Sequence, residues 1–179
     1  MALQALFEVD VSGHDPGRAL AERMVEEPLT EPGATFCRGL LLGALRYRAG
    51  LDDVIQRVAP EWPIEQMAPV DRNILRLAIY EMLGREDIPV RVAIDQAIEL
   101  AKRFGAAESG AFVNGILDRV LHEACLPGAG GQDGADADAA HAQAMETGGA
   151  DPVADVPAAG PSRQAGATRF PDIKDWDEE

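Results

Sequence analysis

Apolar side chains recur at every third or fourth position along most of the first 124 residues, the spacing of one face of an α-helix. The clearest segment, residues 70–83, follows Pro69 and precedes Gly84, which are typical start and stop signals. Its apolar residues cover most of the helix circumference. We therefore expect a central, buried helix there.

Two more helices follow in the pattern. One face of the first carries Val92, Ala93, Ala97, Leu100 and Phe104, joined by Ile94, Ile98 and Ala101. Gly105 is predicted to close that helix as its C′ residue. Helical spacing in the second is carried by Phe112, Val113, Ile116, Leu117, Val120 and Leu121.

Three helices are predicted upstream. They cover a short amphipathic start from Ala2 to Val9, residues 16–27, and residues 36–51 with Leu40, Leu41, Leu42 and Leu45 as the core side. Residues 52–59 either continue the third helix or form a separate short one. No stretch alternates apolar and polar residues with β-branched enrichment, so no strand is expected. The pattern predicts an all-α, compact bundle of about six or seven helices in residues 1–124.

Residues 125–179 have a different composition. These 55 residues include 13 Ala, 8 Gly and 5 Pro, but only seven Val, Ile, Leu, Met, Phe or Trp residues. Burial of seven apolar side chains cannot offset the entropy cost of folding 55 residues. We therefore predict a disordered tail. Phe170, Ile173 and Trp176 near its end form either a partner-binding motif or a solvated terminus, and we favour the latter.

Charge narrows the possible functions. The formal net charge is −15, of which −7 belongs to residues 1–124 and −8 to residues 125–179. Such a chain does not coat nucleic acid by bulk attraction, because polyphosphate repels it. No apolar run is long enough to cross a membrane, and the N-terminus lacks the basic region of a secretory signal. With isolated cysteines Cys37 and Cys125, these features predict a cytoplasmic protein with reduced thiols.

No catalytic constellation appears in the sequence. His14, His122 and His141 lack a cluster of other ligands at metal-binding spacing. Nucleophile-elbow, phosphate-loop and dinucleotide motifs are missing as well. We therefore expect a binding protein, not an enzyme, with no catalytic residue, metal, cofactor or small-molecule substrate.

Basic and aromatic residues at two places suggest RNA as a ligand. Lys102 and Arg103 end a predicted helix, where they either complement its dipole or contact phosphate. Arg46 and Arg48 flank Tyr47, and such groups hold phosphates and bases of single-stranded RNA. These groups by themselves are common on helical surfaces.

Longer blocks are more specific. They are ALQALF at residues 2–7, WPIEQMAPVDRNILRLAIYE at 62–81, PVRVAIDQAIELAKRFG at 89–105 and FVNGILDR at 112–119. In this order and spacing they resemble the bacterial transcription antitermination factor NusB family over residues 1–124. The resemblance implies an all-helical fold of two small bundles without catalytic residues or cofactor. It implies binding of boxA RNA together with a small-subunit ribosomal protein, also called NusE, and joining of elongating RNA polymerase on ribosomal RNA operons.

The resemblance and the local chemistry together give candidate site residues. For RNA they are Lys102, Arg103, Glu108, Ser109, Phe112 and Asn114. Residues 109–114 begin a helix, whose free N–H groups favour a phosphate. Phe112 is either a stacking platform or a core residue, whereas for Asn114 we favour the satisfaction of a buried backbone group. For the protein partner the candidates are Phe7, Val11 and Asp71, on exposed faces of the first and the 70–83 helices.

The chain departs from the family pattern in two ways. Members usually have an Arg-rich stretch before the first helix, but here the chain starts inside that helix, and we expect a start assigned too late. Fewer phosphate contacts would make the salt dependence of RNA binding shallower. The acidic tail is the other departure; it either competes with RNA for the basic site or only aids solubility, which we favour slightly.

Two alternative functions remain open. One is a protein-interaction scaffold that has lost RNA binding with the basic arm. The other is the RNA-binding module of a ribosomal RNA cytosine methyltransferase. That reading needs a following catalytic domain, which residues 125–179 do not offer.

Overall fold

A computed structural model describes residues 1–85 and 87–125, with side chains through Glu123, and the described part contains seven α-helices. They are α1 (Ala2–Ser12), α2 (Pro16–Glu26), α3 (Glu31–Arg46), α4 (Arg48–Val58), α5 (Pro69–Gly84), α6 (Val90–Phe104) and α7 (Ser109–Cys125). The all-α bundle predicted from the sequence is confirmed. The predicted tail from residue 126 onward lies outside the described residues.

Helix α5 is the centre of the bundle. It begins at Pro69, and nine of its residues are buried, as expected from its apolar circumference. It packs against α1, α3, α4, α6 and α7. Most of the core is therefore assembled around one helix.

The boundary between α3 and α4 differs from the prediction. A single helix over residues 36–51 was expected, but the chain breaks at Tyr47, between α3 and α4. The Tyr47 ring stacks on Tyr80 of α5 at 6.1 Å, and Gly43 leaves the space that the Tyr80 ring fills. Leu40 and Leu41 are buried as predicted, but Leu42 is exposed, because three consecutive residues span about 200° of a helix and cannot all face the core.

The core side of α6 also differs from the prediction. Small residues Ala93, Ala97 and Ala101 are buried, whereas Val92 and Phe104 are exposed. Alanines at this spacing let α6 approach α5 and α7 closely, which leaves the bulkier residues at the edges of the face.

Glycines at two helix ends have different roles. Gly105 ends α6, but in an extended conformation instead of the left-handed one predicted for a C′ residue. The left-handed glycine is Gly13, with φ 68°, which ends α1 by donating its N–H to the Val9 carbonyl.

Among the described residues, we find no helix with the length and apolar character needed to cross a membrane.

Candidate nucleic-acid and protein interfaces

The turn between α6 and α7 is held by a serine. The hydroxyl of Ser109 accepts a hydrogen bond from the N–H of Ala106 at 2.9 Å, and its side chain is buried. A Cβ atom on Gly105 would lie 2.4 Å from Cβ of Ser109 and 2.7 Å from the Ala101 carbonyl oxygen. Only glycine fits there, because the end of α6 and the start of α7 approach so closely.

Cations border this turn on the surface. The ammonium of Lys102 donates to Glu99 at 2.9 Å, and both side chains are largely exposed. The guanidinium of Arg103 lies 5.1 Å from the centre of the Phe104 ring. Exposed pairs of this kind contribute little free energy, so a phosphate could displace them at low cost. Glu108 is exposed at the start of α7, where an acid complements the helix dipole.

Phe112 packs on the core, which is one of the two roles that the sequence left open, and its stacking on RNA stays a prediction. Its side chain is half-buried and packs on the core, while its ring meets the Trp62 indole edge to face at 5.8 Å between ring centres. Trp62 comes from the segment between α4 and α5, and 52% of its surface is exposed. The pair therefore joins the core to an aromatic surface.

Arg119 lies on the same side of α7 and is tied to the end of α4. Its guanidinium donates to the Val58 carbonyl at 3.0 Å and to the Glu61 carboxylate at 2.8 Å. The hydrogen bond from Arg119 lowers the pKa of Glu61. Both side chains remain about half exposed, so this cation stays accessible from solvent.

The candidate residues on α7 do not share one side of the helix. At about 100° per residue, Phe112 and Asn114 are about 200° apart around the axis. Phe112 faces Trp62. Asn114 is one helical turn after Gly110 and lies on the same side of α7, and a Cβ on Gly110 would lie 3.1 Å from Cγ of Lys102. Asn114 is exposed, so the structural role favoured for it from the sequence is wrong.

The structure thus divides the predicted RNA site into two flanks. Lys102 and Asn114 lie on one flank of α7 and Phe112 on the other, while the buried Ser109 supports the turn between α6 and α7. The low crest that separates the flanks carries the small, exposed residues Ala111 and Gly115.

Sequence reasoning missed Trp62 and Arg119. Arg119 had a signal, because seven residues separate it from Phe112 and this spacing places both on one helix flank. Trp62 had only a weak one, an aromatic residue between Pro60 and Pro63 in a connecting segment.

The candidate protein interface on α1 is partly as predicted. Phe7 and Val11 are 36% and 54% exposed, and Phe7 lines a groove with Val70 and Phe104. Asp71 contradicts the expectation of an exposed residue, since it is only 7% exposed. It lies in the first turn of α5, and one of its carboxylate oxygens is buried without a hydrogen-bond partner. As an acid in the first turn it complements the helix dipole.

A cluster of charges lies between α1, α4 and α5. We call it the ion cluster: Asp10, Arg48, Asp52, Arg72, Asn73 and Arg76. Arg76 binds Asp52 with two hydrogen bonds, of 2.6 and 2.9 Å. Arg72 and Arg48 each donate to Asp10 at 2.8 Å.

Asp10 is the hub of this cluster, and its side chain is 1% exposed. Burial by itself would raise the pKa of Asp10, but hydrogen bonds from Arg72 and Asn73 and the charge of Arg76 outweigh it and lower that pKa. Asp10 lies on α1 one residue before Val11, and Arg72 follows Asp71 on α5. The cluster therefore fixes the two helices that carry the candidate protein interface.

Comparisons with known proteins agree with this fold. A model of the NusB family matches residues 1–122. The chain is 44% identical to a transcription antitermination protein NusB of Symbiobacterium thermophilum over 141 residues, which are 74% of this chain and 91% of that protein. It is similar to the T. maritima NusB structure with a TM-score of 0.63 and 40% identity, over 68% of this chain and 86% of that one. A solved complex of the antitermination factors NusB and NusE with double-stranded RNA shares the fold, with a TM-score of 0.61 and 24% identity, over 65% of this chain and 87% of that one.

Proposed function

The chain belongs to the NusB family, and we propose that it binds boxA-type single-stranded RNA together with the ribosomal protein NusE and joins elongating RNA polymerase. In this role it supports transcription of ribosomal RNA operons without catalysing a reaction. The observation that carries the proposal is the family match over residues 1–122, nearly the whole described part of the chain.

We assign RNA binding to the end of the bundle at the turn between α6 and α7. Lys102 and Arg103 supply cations for phosphates, and the exposed amide of Asn114 is free to meet a base or a sugar. Phe112 offers an aromatic ring on the other flank of α7, where it packs against Trp62. The side chain of Ser109 supports the turn and would not touch RNA, since it is buried.

We assign NusE binding to α1 and the start of α5. Phe7 and Val11 are apolar and exposed, which is the character of residues that anchor a protein interface. The buried, unpartnered oxygen of Asp71 lies beside this face and lacks a donor. The solved NusB–NusE complex with RNA, which has the same fold, supports the combination of both ligands on one bundle.

A titration of labelled boxA RNA tests the proposal. Fluorescence anisotropy is measured with the full chain alone and with saturating NusE, and NusE is expected to tighten binding. In Lys102→Met the plot of log affinity against log salt should be shallower by about one unit, because one phosphate contact is lost. Unchanged affinity on adding NusE would count decisively against the proposed function.

A second set of variants tests the protein interface. The double variant Phe7→Ala and Val11→Ala should lower the affinity for NusE and abolish its effect on RNA binding. Val92→Ala is the matched control, since Val92 is also exposed but lies about 18 Å along α6 from Phe104, which lines the same groove as Phe7. Equal losses in the control and the double variant would show that the face on α1 is not the interface.

One observation favours a second candidate function, a protein-interaction scaffold with weak RNA affinity. Arg48, Arg72 and Arg76 are engaged in the ion cluster, so these cations are not free for phosphates. NusE binding of normal affinity, with no RNA binding even at low salt, would identify the scaffold.

A further inference from the structure

Trp62 is the aromatic residue that the proposed RNA site leaves unexplained. It lies in the segment between α4 and α5, where its backbone N–H donates to the Ala59 carbonyl at 3.0 Å. About half of its surface, 52%, is exposed to solvent. Indole rings are large and apolar, so a tryptophan that is fixed in place and open to solvent is a candidate to contact a ligand.

Phe112 holds the indole in place. The two rings are 5.8 Å apart with planes at 79°, so the Trp62 ring meets Phe112 edge to face. Phe112 is itself half-buried and packed on the core. Ligand binding at Trp62 would therefore cost little side-chain entropy, because the ring is already ordered.

An accessible cation and open space lie on the same flank of α7. Phe112 and Arg119 are seven residues apart, so they lie on one side of the helix, and Gly115 of the crest borders them. A Cβ on Gly115 would meet nothing within 4 Å, so the surface between Phe112 and Arg119 is open. The Arg119 guanidinium, paired with the exposed Glu61, completes the flank.

This combination fits one nucleotide of a single strand. Single-stranded RNA is held by rings that stack on bases and by cations that contact the adjoining phosphates. The flank is also continuous with the Lys102 side of the proposed RNA site across the low crest at Ala111 and Gly115. A strand that starts at Lys102 can therefore cross α7 over Ala111 and Gly115, which carry no bulky side chain.

We propose that the Trp62 indole is a base-stacking residue of the RNA interface, with Phe112 as its support and Arg119 as the neighbouring phosphate contact. The inference rests on the proposed function, because it extends the same RNA site to the other flank of α7. It adds two contacts that sequence analysis did not identify.

Tryptophan fluorescence gives a direct test. The full chain has two tryptophans, Trp62 and Trp176, so Trp176→Phe leaves Trp62 as the sole indole. Titration of this variant with an unlabelled boxA RNA at low salt should quench the emission in a saturable way, at the same RNA concentrations that give the anisotropy signal.

Two substitutions at Trp62 separate stacking from packing. Trp62→Leu keeps an apolar side chain but no ring, and should weaken RNA binding by about fivefold to a hundredfold. Trp62→Phe keeps a ring and should retain most of the affinity. In both, the dependence of affinity on salt should keep its slope, because stacking releases no counterions, whereas Arg119→Gln should lower the slope by about one unit.

The outcomes distinguish this inference from the proposed function. If the unmodified chain does not bind boxA RNA with or without NusE, the proposed function fails. If it binds but RNA leaves the Trp62 emission unchanged, the stacking role is refuted, even where Trp62→Leu binds more weakly. Circular dichroism checks the fold of each variant, and the fluorescence titration needs no substitution at Trp62.

Discussion

The ion cluster and the α6–α7 end use the same residue types in opposite ways. In the ion cluster three guanidiniums converge on Asp10 and Asp52, and Asp10 is almost fully buried. At the α6–α7 end Lys102 and Arg103 are exposed, with only surface partners beside them. Basic residues of the first region therefore hold helices together, and those of the second are available to a ligand.

The difference has a physical origin in burial. A buried charge without a partner is costly, so the fold must keep partners for Asp10 and Arg76, whose side chains are almost fully buried. An exposed ion pair contributes little, so its loss on ligand binding costs little as well. A net charge of −7 over residues 1–124 therefore says little about RNA binding until the cations of the two regions are told apart.

The largest effect is expected from Arg76→Met. It removes the buried cation between Asp52 and Asp10, so Asp52 loses two short hydrogen bonds while Asp10 keeps Arg48 and Arg72. The free energy of unfolding should fall by about 3 kcal/mol. Urea unfolding followed by circular dichroism measures it. Arg18→Met is the control, because Arg18 forms an exposed pair with Glu22, and its unfolding should barely change. A similarly small loss of unfolding free energy in Arg76→Met and Arg18→Met would contradict the distinction between buried and exposed ion pairs.

The next effect concerns the α6–α7 turn. Gly105→Ala should lower the free energy of unfolding by about 3 kcal/mol, because the new Cβ would collide with Ser109 and with the Ala101 carbonyl oxygen. Gly115→Ala is the matched control on an exposed helix position with open space, and it should raise stability by about 0.5–1 kcal/mol. Thermal unfolding of both variants measures these changes. An unchanged stability in Gly105→Ala would contradict the close approach of α6 and α7 at this position.

Asp10→Asn sharpens the comparison through pH. The pKa of Asp10 is lowered in the folded state, so its stabilisation is present above the ordinary aspartate pKa of about 3.9 and is lost as pH falls through the folded pKa. At pH 7 the variant should lose about 1.5–2 kcal/mol of unfolding free energy. The stability curves of variant and parent should converge in acid; a constant gap down to pH 2 would exclude this origin.

Glu81 should show the smallest effect, of opposite sign. Unlike Asp10 it is half-buried beside apolar residues such as Leu40 and Leu77, and burial raises its pKa, with Arg85 opposing and Asp87 adding to the rise. A raised pKa means that stability falls as pH rises above the ordinary glutamate pKa of about 4.3. Glu81→Gln should therefore gain less than about 1 kcal/mol at pH 7, after allowance for solvent screening. The gain should vanish below pH 4 in urea titrations, and a gain that persists in acid would contradict it.

The sequence by itself determined the helical fold and its central element. The apolar circumference of α5, between Pro69 and Gly84, requires burial on all sides wherever the helix lies. Periodicity also located α6 and α7, since a spacing of three or four residues is a local property of the chain. The family resemblance followed from the same local blocks, and the family match over residues 1–122 confirmed it.

Only the tertiary structure decided which side of each helix meets what. The sequence predicted an exposed Asp71, but the packing around α5 buries it. Asp10 and Arg72 are 62 residues apart and meet only because α1 lies along α5. In the same way Trp62 reaches Phe112 across 50 residues of chain. Such pairs depend on the relative placement of helices, which the periodicity of one helix does not encode. The ion cluster and the second flank of the proposed RNA site therefore emerged only from the fold.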